Sequence, residues 1–291
     1  MTAPFVADAL GPRGRRRVLV SSVLAGAVIV LVFGLALNRL ADKGQLSDAV
    51  WAPLRQWSVQ KFLLLGLWVT VKTAVAAMVT AVVVGVLLAL GRLSRNGPVR
   101  WLSGAYVEVF RAMPLILLMY FVALALPKYS IHPSPFQGVV LALTIYNGAV
   151  LGEIFRAGIL SLDRGQSEAA SALGMTYWQS MLRIIVPQAA RRMIPAIVSQ
   201  LVTLLKDTSL GTVILLDELL TKSRDTGTFF HNRLQVYTVA ALLYIAVNFT
   251  LSRVARRLEV RQRRKYKAGA ITVTGVEDLA VLVAHGEAAV A

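Results

Sequence analysis

The run Lys206-Asp207-Thr208-Ser209 sets a cation, an anion and two hydroxyls side by side within an otherwise apolar segment. A charge at bilayer depth costs several kcal/mol unless it is paired or meets water, so such a run needs a purpose. A zwitterion such as an amino acid, with one carboxylate and one ammonium, would satisfy it from outside. A buried polar network that specifies helix packing would satisfy it from within. Adjacent residues on a helix diverge by about 100°, so all four side chains face one cavity only if the helix is locally broken. Tyr146 and Asn147 fall at similar depth on the preceding long apolar segment, and Met113 on the one before that, which makes all three candidates for the same path.

Five further charges stand within apolar runs. Lys72 is isolated, whereas Glu108 and Arg111, and likewise Glu153 and Arg156, are three residues apart. That spacing puts each pair on a common helix face, where opposite charges offset one another. Two roles stay open for both pairs: ion pairs that hold neighbouring helices in register, or a direct part in transport.

The scaffold for these residues is a membrane protein. Of 291 residues 56% are hydrophobic and the mean hydropathy is +0.64, which places the chain among polytopic membrane proteins. The net charge of +16 gathers beside apolar segments, as at Arg13, Arg15, Arg16 and Arg17, rather than in the aromatic-interleaved patches of nucleic-acid binders. With no cysteine there is neither a disulfide nor a thiolate metal site, and His132, His231 and His285 are too scattered to form one. No Gly-x-x-x-x-Gly-Lys-Ser/Thr phosphate loop occurs, so any nucleotide must be bound by another chain.

Residues 1–17 read as a basic tail and 18–37 as a span; a cleavable signal peptide is disfavoured because the run is long and no small-x-small site follows it. Residues 38–61 read as an external linker with a short surface helix and interfacial Trp51 and Trp57. Further spans are expected at 62–91, at 101–126 with a kink at Pro114, at 136–160, at 194–220 and at 236–254, with an external polar segment at 221–235. Gly148 and Gly152 form a small-xxx-small pair suited to close helix approach. Residues 258–291 read as a basic, then mobile tail. Six spans put both termini in the cytoplasm, and roughly nineteen Lys and Arg on inner segments against roughly eight on outer ones agree with that orientation.

Between the fourth and fifth spans, residues 161–195 are too polar to cross a bilayer and too patterned to be featureless. Ser167 is a plausible N-cap for a helix through Glu168, Ala169, Ala170 and Ala172. Gly174 suits a left-handed C-cap that turns the chain into a second short helix, 176–186, which Pro187 should end, with Pro195 opening the next apolar segment. Two readings remain: an ordinary loop between spans, or a rigid knob for a partner's groove.

The order Glu168-Ala169-Ala170, three residues, Gly174, nine residues, Ile184, one residue, Val186-Pro187 resembles the EAA loop of ABC importer permeases, with Val186 where leucine is usual. Arg111-Ala-Met-Pro114-Leu115, Glu153-Ile-Phe-Arg156-Ala-Gly158-Ile159, Pro187-Gln188-Ala189 and Lys206-Asp207-Thr208-Ser209-Leu210 resemble the polar amino acid branch of that family. The similarity spans residues 62–257. It implies an all-α polytopic fold of the type I importer kind, with a five-helix core and, here, one extra N-terminal transmembrane helix. It further implies that Glu168, Ala169, Ala170, Gly174, Ile184 and Pro187 dock a separate ABC ATPase dimer that binds ATP and Mg. A second permease subunit, related or identical, and an external substrate-binding protein complete the implied assembly in a bacterial plasma membrane. This chain would then be a transport subunit with no cofactor or catalysis of its own. Glutamate or a related amino acid fits Lys72, Arg111 and Lys206, although Glu108, Glu153 and Asp207 are present to neutralise them. An ion-coupled secondary carrier would keep the intramembrane charges but need no docking knob.

Overall fold

The computed structural model describes residues 11–254 with 256 and 257, so the expected tail at 258–291 and the first ten residues lie outside the described part. The described residues are helical almost throughout, as a chain in lipid must be when no water is present to satisfy backbone N–H and C=O groups. Helix α1 is Pro12–Asp42, longer at both ends than the expected span. A turn of helix, α2 (Asp48–Trp51), lies on the linker before the long α3 (Trp57–Leu93).

Helices α4 (Gly97–Ala112) and α5 (Leu115–Ala125) occupy the third apolar region. They meet at 103°, a sharper break than the kink expected at Pro114. Proline there has no N–H to continue the ladder and drives Met113 into extended backbone. Helix α6 (Pro135–Leu160) starts with a capping box between Ser134 and Gln137 and with proline in its first turn. The connector carries α7 (Arg164–Ala172) and α8 (Tyr177–Ser180), followed by α9 (Val186–Asp207), α10 (Leu219–Phe229) and α11 (Arg233–Val254). Five helices among the described residues are long and apolar enough to cross a membrane, or six when the bent α4–α5 pair is one span.

The core is built on α3 against α6. In lipid, helices gain little from burying apolar surface against one another, so close packing of small residues does the work. The inward face of α3 is mostly small, with Gly66, Thr70, Thr73, Ala74, Ala77, Ala81, Gly85 and Ala89 buried beside the larger Val59, Leu63 and Met78. A Cβ on Gly148 would sit 2.7 Å from Val84 Cγ1, and one on Gly85 only 2.8 Å from Leu151 Cβ. The glycine pair on α6 is therefore needed for the approach, as its spacing suggests. Large apolar residues such as Trp68, Val79, Val83 and Leu87 point outward from the same helix.

Two features depart from the sequence expectation. Pro187 does not end a helix: Tyr177 to Ile214 runs on as 38 helical residues, with a π-helical stretch at Met181–Ile185 just before Pro187 and with Pro195 inside α9. The wider π turn comes where Pro187 has no N–H to give, and the helix passes through. Residues 221–235 are likewise more than an external polar segment, since α10 turns Thr221, Ser223, Thr226 and Gly227 inward.

Candidate functional site

The connector is shaped by its capping groups. Asp163, not Ser167, caps α7, its carboxylate accepting from Gly165 N at 2.9 Å; the helix starts four residues before Ser167 could begin it. At the other end Gly174 has φ +75°, and Met175 N donates to Ala170 O at 3.1 Å, closing the C-terminal turn in the left-handed manner expected of glycine. Thr176 then caps α8 in a second capping box with Gln179. Two contacts link the start of the connector to α9. Arg192 donates to Ser161 O at 2.7 Å, and Gln188 donates to Gln166 Oε1 at 3.3 Å.

The residues singled out in the loop play different geometric parts. Ala170 is buried, Ile184 half-buried, and Glu168, Ala169 and Pro187 exposed. Ala170 thus faces its own chain, where a larger side chain would push α7 away from the helix it rests on. Beside Glu168, Ala169 and Pro187, the outward surface carries Leu173, Tyr177, Trp178 and Leu182, all more than half exposed. Tyr177 and Trp178 stack edge to face with centroids 5.4 Å apart. An apolar and aromatic cluster on an otherwise polar loop marks an interaction surface. Ala170 and Gly174 set the knob's shape, while these four share its face with the exposed Glu168, Ala169 and Pro187.

The intramembrane charges separate into paired and free. Glu153 accepts from Arg156 at 2.5 Å and from Arg92, on α3, at 2.6 Å, so one carboxylate joins α3 to α6 near their adjacent ends. Glu108 and Arg111 form no ion pair among the described residues, despite sharing a face; both are exposed. Exposed partners gain little by pairing, whereas Glu153 is held by a second helix and is three-quarters buried. Lys72 Nζ lies over the Phe136 ring at 4.9 Å.

Just after Lys206 the helix tightens without breaking: α9 passes at Thr208 into a 3₁₀ stretch, Thr208–Ile214. The four side chains accordingly diverge. Lys206 is exposed, Asp207 and Ser209 are half-buried, and Thr208 is fully buried. The Thr208 and Ser209 hydroxyls donate to the carbonyls of Leu205 and Lys206, both at 2.7 Å. Asn147 is buried and accepts from Gln200 at 2.6 Å, linking α6 to α9 two turns before this stretch; Tyr146 and Met113 are half-buried beside the core.

Sequence reading passed over a polar stripe on α9. Arg192, Ala196, Ser199, Thr203 and Lys206 recur at helical spacing and all are exposed, while Met193, Leu204 and Leu205 on other faces are buried. Hydroxyls and a lysine do not face acyl chains along a whole span; they face protein or water.

A buried carboxylate was also missed. Glu218, on the connector before α10, is fully buried and accepts from Thr221 N at 2.8 Å, from Tyr244 Oη at 2.6 Å and from Thr70 Oγ1 at 3.3 Å. Burial pushes its carboxyl above the ordinary carboxylate range, and the hydrogen bonds from Tyr244 and the backbone oppose that. Among the described residues no group of three His, Asp or Glu side chains is placed to hold a metal ion.

Residues 81–264 match the family described as binding-protein-dependent transport system inner membrane component. The chain is 41% identical over 235 residues to the glutamate transport system permease protein GluD of Corynebacterium glutamicum, covering 79% of this chain and 85% of that one. It is also 41% identical over 208 residues to the probable glutamine ABC transporter permease protein GlnP of Bacillus subtilis, covering 69% and 94%. Among solved structures, an amino acid ABC transporter crystallised with histidines superposes with a TM-score of 0.67 at 29% identity, over 69% of this chain and 94% of that one. The methionine ABC transporter MetNI, at 20% identity and a TM-score of 0.57, shares the fold over 70% and 99%.

Proposed function

This chain belongs to the inner-membrane permease components of binding-protein-dependent transport systems, and from that premise we propose that it carries polar amino acids, glutamate or a near relative, across the bacterial inner membrane. It is a permease subunit and not itself an enzyme; ATP hydrolysis belongs to a separate subunit, and relatives of this kind also work with a substrate-binding protein.

One observation carries the reading. The exposed knob of Leu173, Tyr177, Trp178 and Leu182 sits at one end of a helix that continues, unbroken through Pro187 and Pro195, to the polar stripe ending at Lys206. A partner that moves the knob moves the stripe. In this reading the knob seats in a groove of a cytoplasmic ATPase pair holding ATP and Mg, and the stripe lines a path shared with a second permease. Both termini then lie in the cytoplasm. Lys206 meets the substrate carboxylate, with Asp207, Asn147, Tyr146 and Met113 nearby on the same route. Alternating access follows because closure of the ATPases biases which end of the path is open.

Reconstituting the chain with its ATPase and a glutamate-loaded binding protein in vesicles tests this. ATP-dependent uptake of labelled glutamate is the expected result, with no uptake driven by an ion gradient alone. Uptake that proceeds without ATP, or a chain that fails to retain any ATPase on purification, overturns it.

A further inference from the structure

The opening turns of α1 hold Arg13, Arg15, Arg16 and Arg17, with no acidic residue in the first turn. Among the described residues none of the four forms an ion pair. At successive offsets of about 100° they ring the helix rather than line one face. From Arg17 to Arg39 the helix rises about 33 Å at 1.5 Å per residue, close to the thickness of a bilayer's hydrocarbon core. The ring therefore lies at the headgroup level of one leaflet. The far end of the helix is different in kind, with Asp42 between Arg39 and Lys43.

Below the ring the side chains of α1 leave two shallow, open hollows. One is lined by Arg13, Arg16, Arg17, Val20, Ser21 and Leu24. The other is lined by Arg15, Val18, Leu19, Ser22 and Val23. The first sets three guanidinium groups, and the second one, above aliphatic side chains one to two turns deeper, an arrangement that suits a phosphate joined to an acyl chain. No other helix of the described chain covers this surface, since α1 has no buried residue. An acidic protein segment would meet the charges but leave the apolar floors in contact with nothing of its own kind.

We propose that this arginine ring is a binding site for anionic phospholipid, with headgroup phosphates on the guanidinium groups and acyl chains along the exposed aliphatic side chains below them. Bidentate guanidinium–phosphate contact is the chemistry that recognises it, and a zwitterionic lipid, whose ammonium faces the same ring, binds less well.

Native mass spectrometry of the purified, detergent-solubilised transporter with added phosphatidylglycerol or phosphatidylcholine tests the proposal. The wild type should retain phosphatidylglycerol at least about tenfold better, in keeping with the attraction of several basic residues to an anionic surface. The variant R13Q/R15Q/R16Q/R17Q should lose that preference, while R253Q/R256Q/R257Q keeps it. Equal retention of both lipids by the wild type overturns the proposal, and needs no variant to fold. Full retention by the ring variant overturns it too, as does displacement of the lipid by millimolar inorganic phosphate, which would make the ring a simple anion site.

Discussion

Tyr244 donates to the Glu218 carboxylate across 2.6 Å, joining α11 to the connector before α10, while Thr70 on α3 donates to the same oxygen. One side chain thus fastens three elements. Glu218→Ala leaves Tyr244 Oη and Thr221 N without their acceptor in a buried place, and each such group costs about 1–3 kcal/mol. Tyr244→Phe removes only one donor and should cost about 1 kcal/mol. Thermal unfolding of the solubilised chain should rank wild type above Tyr244→Phe and that above Glu218→Ala. An unchanged midpoint for Glu218→Ala would show that water already serves these groups.

Packing of α3 on α6 gives a second prediction. A Cβ at Gly85 would meet Leu151 Cβ at 2.8 Å and the Gly152 backbone N at 3.1 Å, so neither neighbour is a flexible tip that can swing away. Gly85→Ala should destabilise the chain by about 1–3 kcal/mol, the usual cost of overpacking. Gly104→Ala, where nothing lies within 4 Å, should leave the isolated chain as stable as before. Equal melting of the two variants would mean that the helices separate at little cost.

The difference between these two glycines indicates what a sequence can disclose. Spans announce themselves because apolar composition is a property of the chain itself, and Gly148 with Gly152 announces a helix contact because small residues at that spacing have few other uses. Gly174 was legible for a similar reason, as an isolated glycine after a helical run. Glu218 was not, because a carboxylate after an apolar run looks solvated until Thr70 and Tyr244 arrive from helices distant in sequence. The Thr- and Ser-bearing α10 looked external by composition, although its hydroxyls bond its own backbone, as Ser223 does to Leu219 O at 2.6 Å, and so can be buried. Glu108 and Arg111 share a face yet stay apart, since sequence fixes the face and only packing decides whether a second helix desolvates it.

Lys206 is the cation at the stripe's far end from Arg192 and, among the described residues, forms no ion pair. If it meets the substrate carboxylate, Lys206→Gln should raise the KM for ATP-dependent glutamate uptake by about tenfold or more, the weight of one charge-assisted hydrogen bond. ATPase retention on purification should not change, because Lys206 lies far along the helix from the knob. Uptake kinetics equal to wild type would remove Lys206 from the path.

Gly174 offers the sharpest test of coupling. Its φ of +75° is costly for a β-branched residue, and no atom lies within 4 Å of a Cβ built there, so a substitution acts through the backbone alone. Gly174→Val should strain the corner by about 1–3 kcal/mol and turn Tyr177 and Trp178 away from their present direction. Gly174→Asn tolerates the left-handed conformation and should keep most activity. In vesicles holding the complete transporter, the valine variant should insert normally yet lose uptake and substrate-stimulated ATP hydrolysis together, with the asparagine variant near wild type. Valine and asparagine variants that transport equally well would show that the corner's geometry does not govern force transfer.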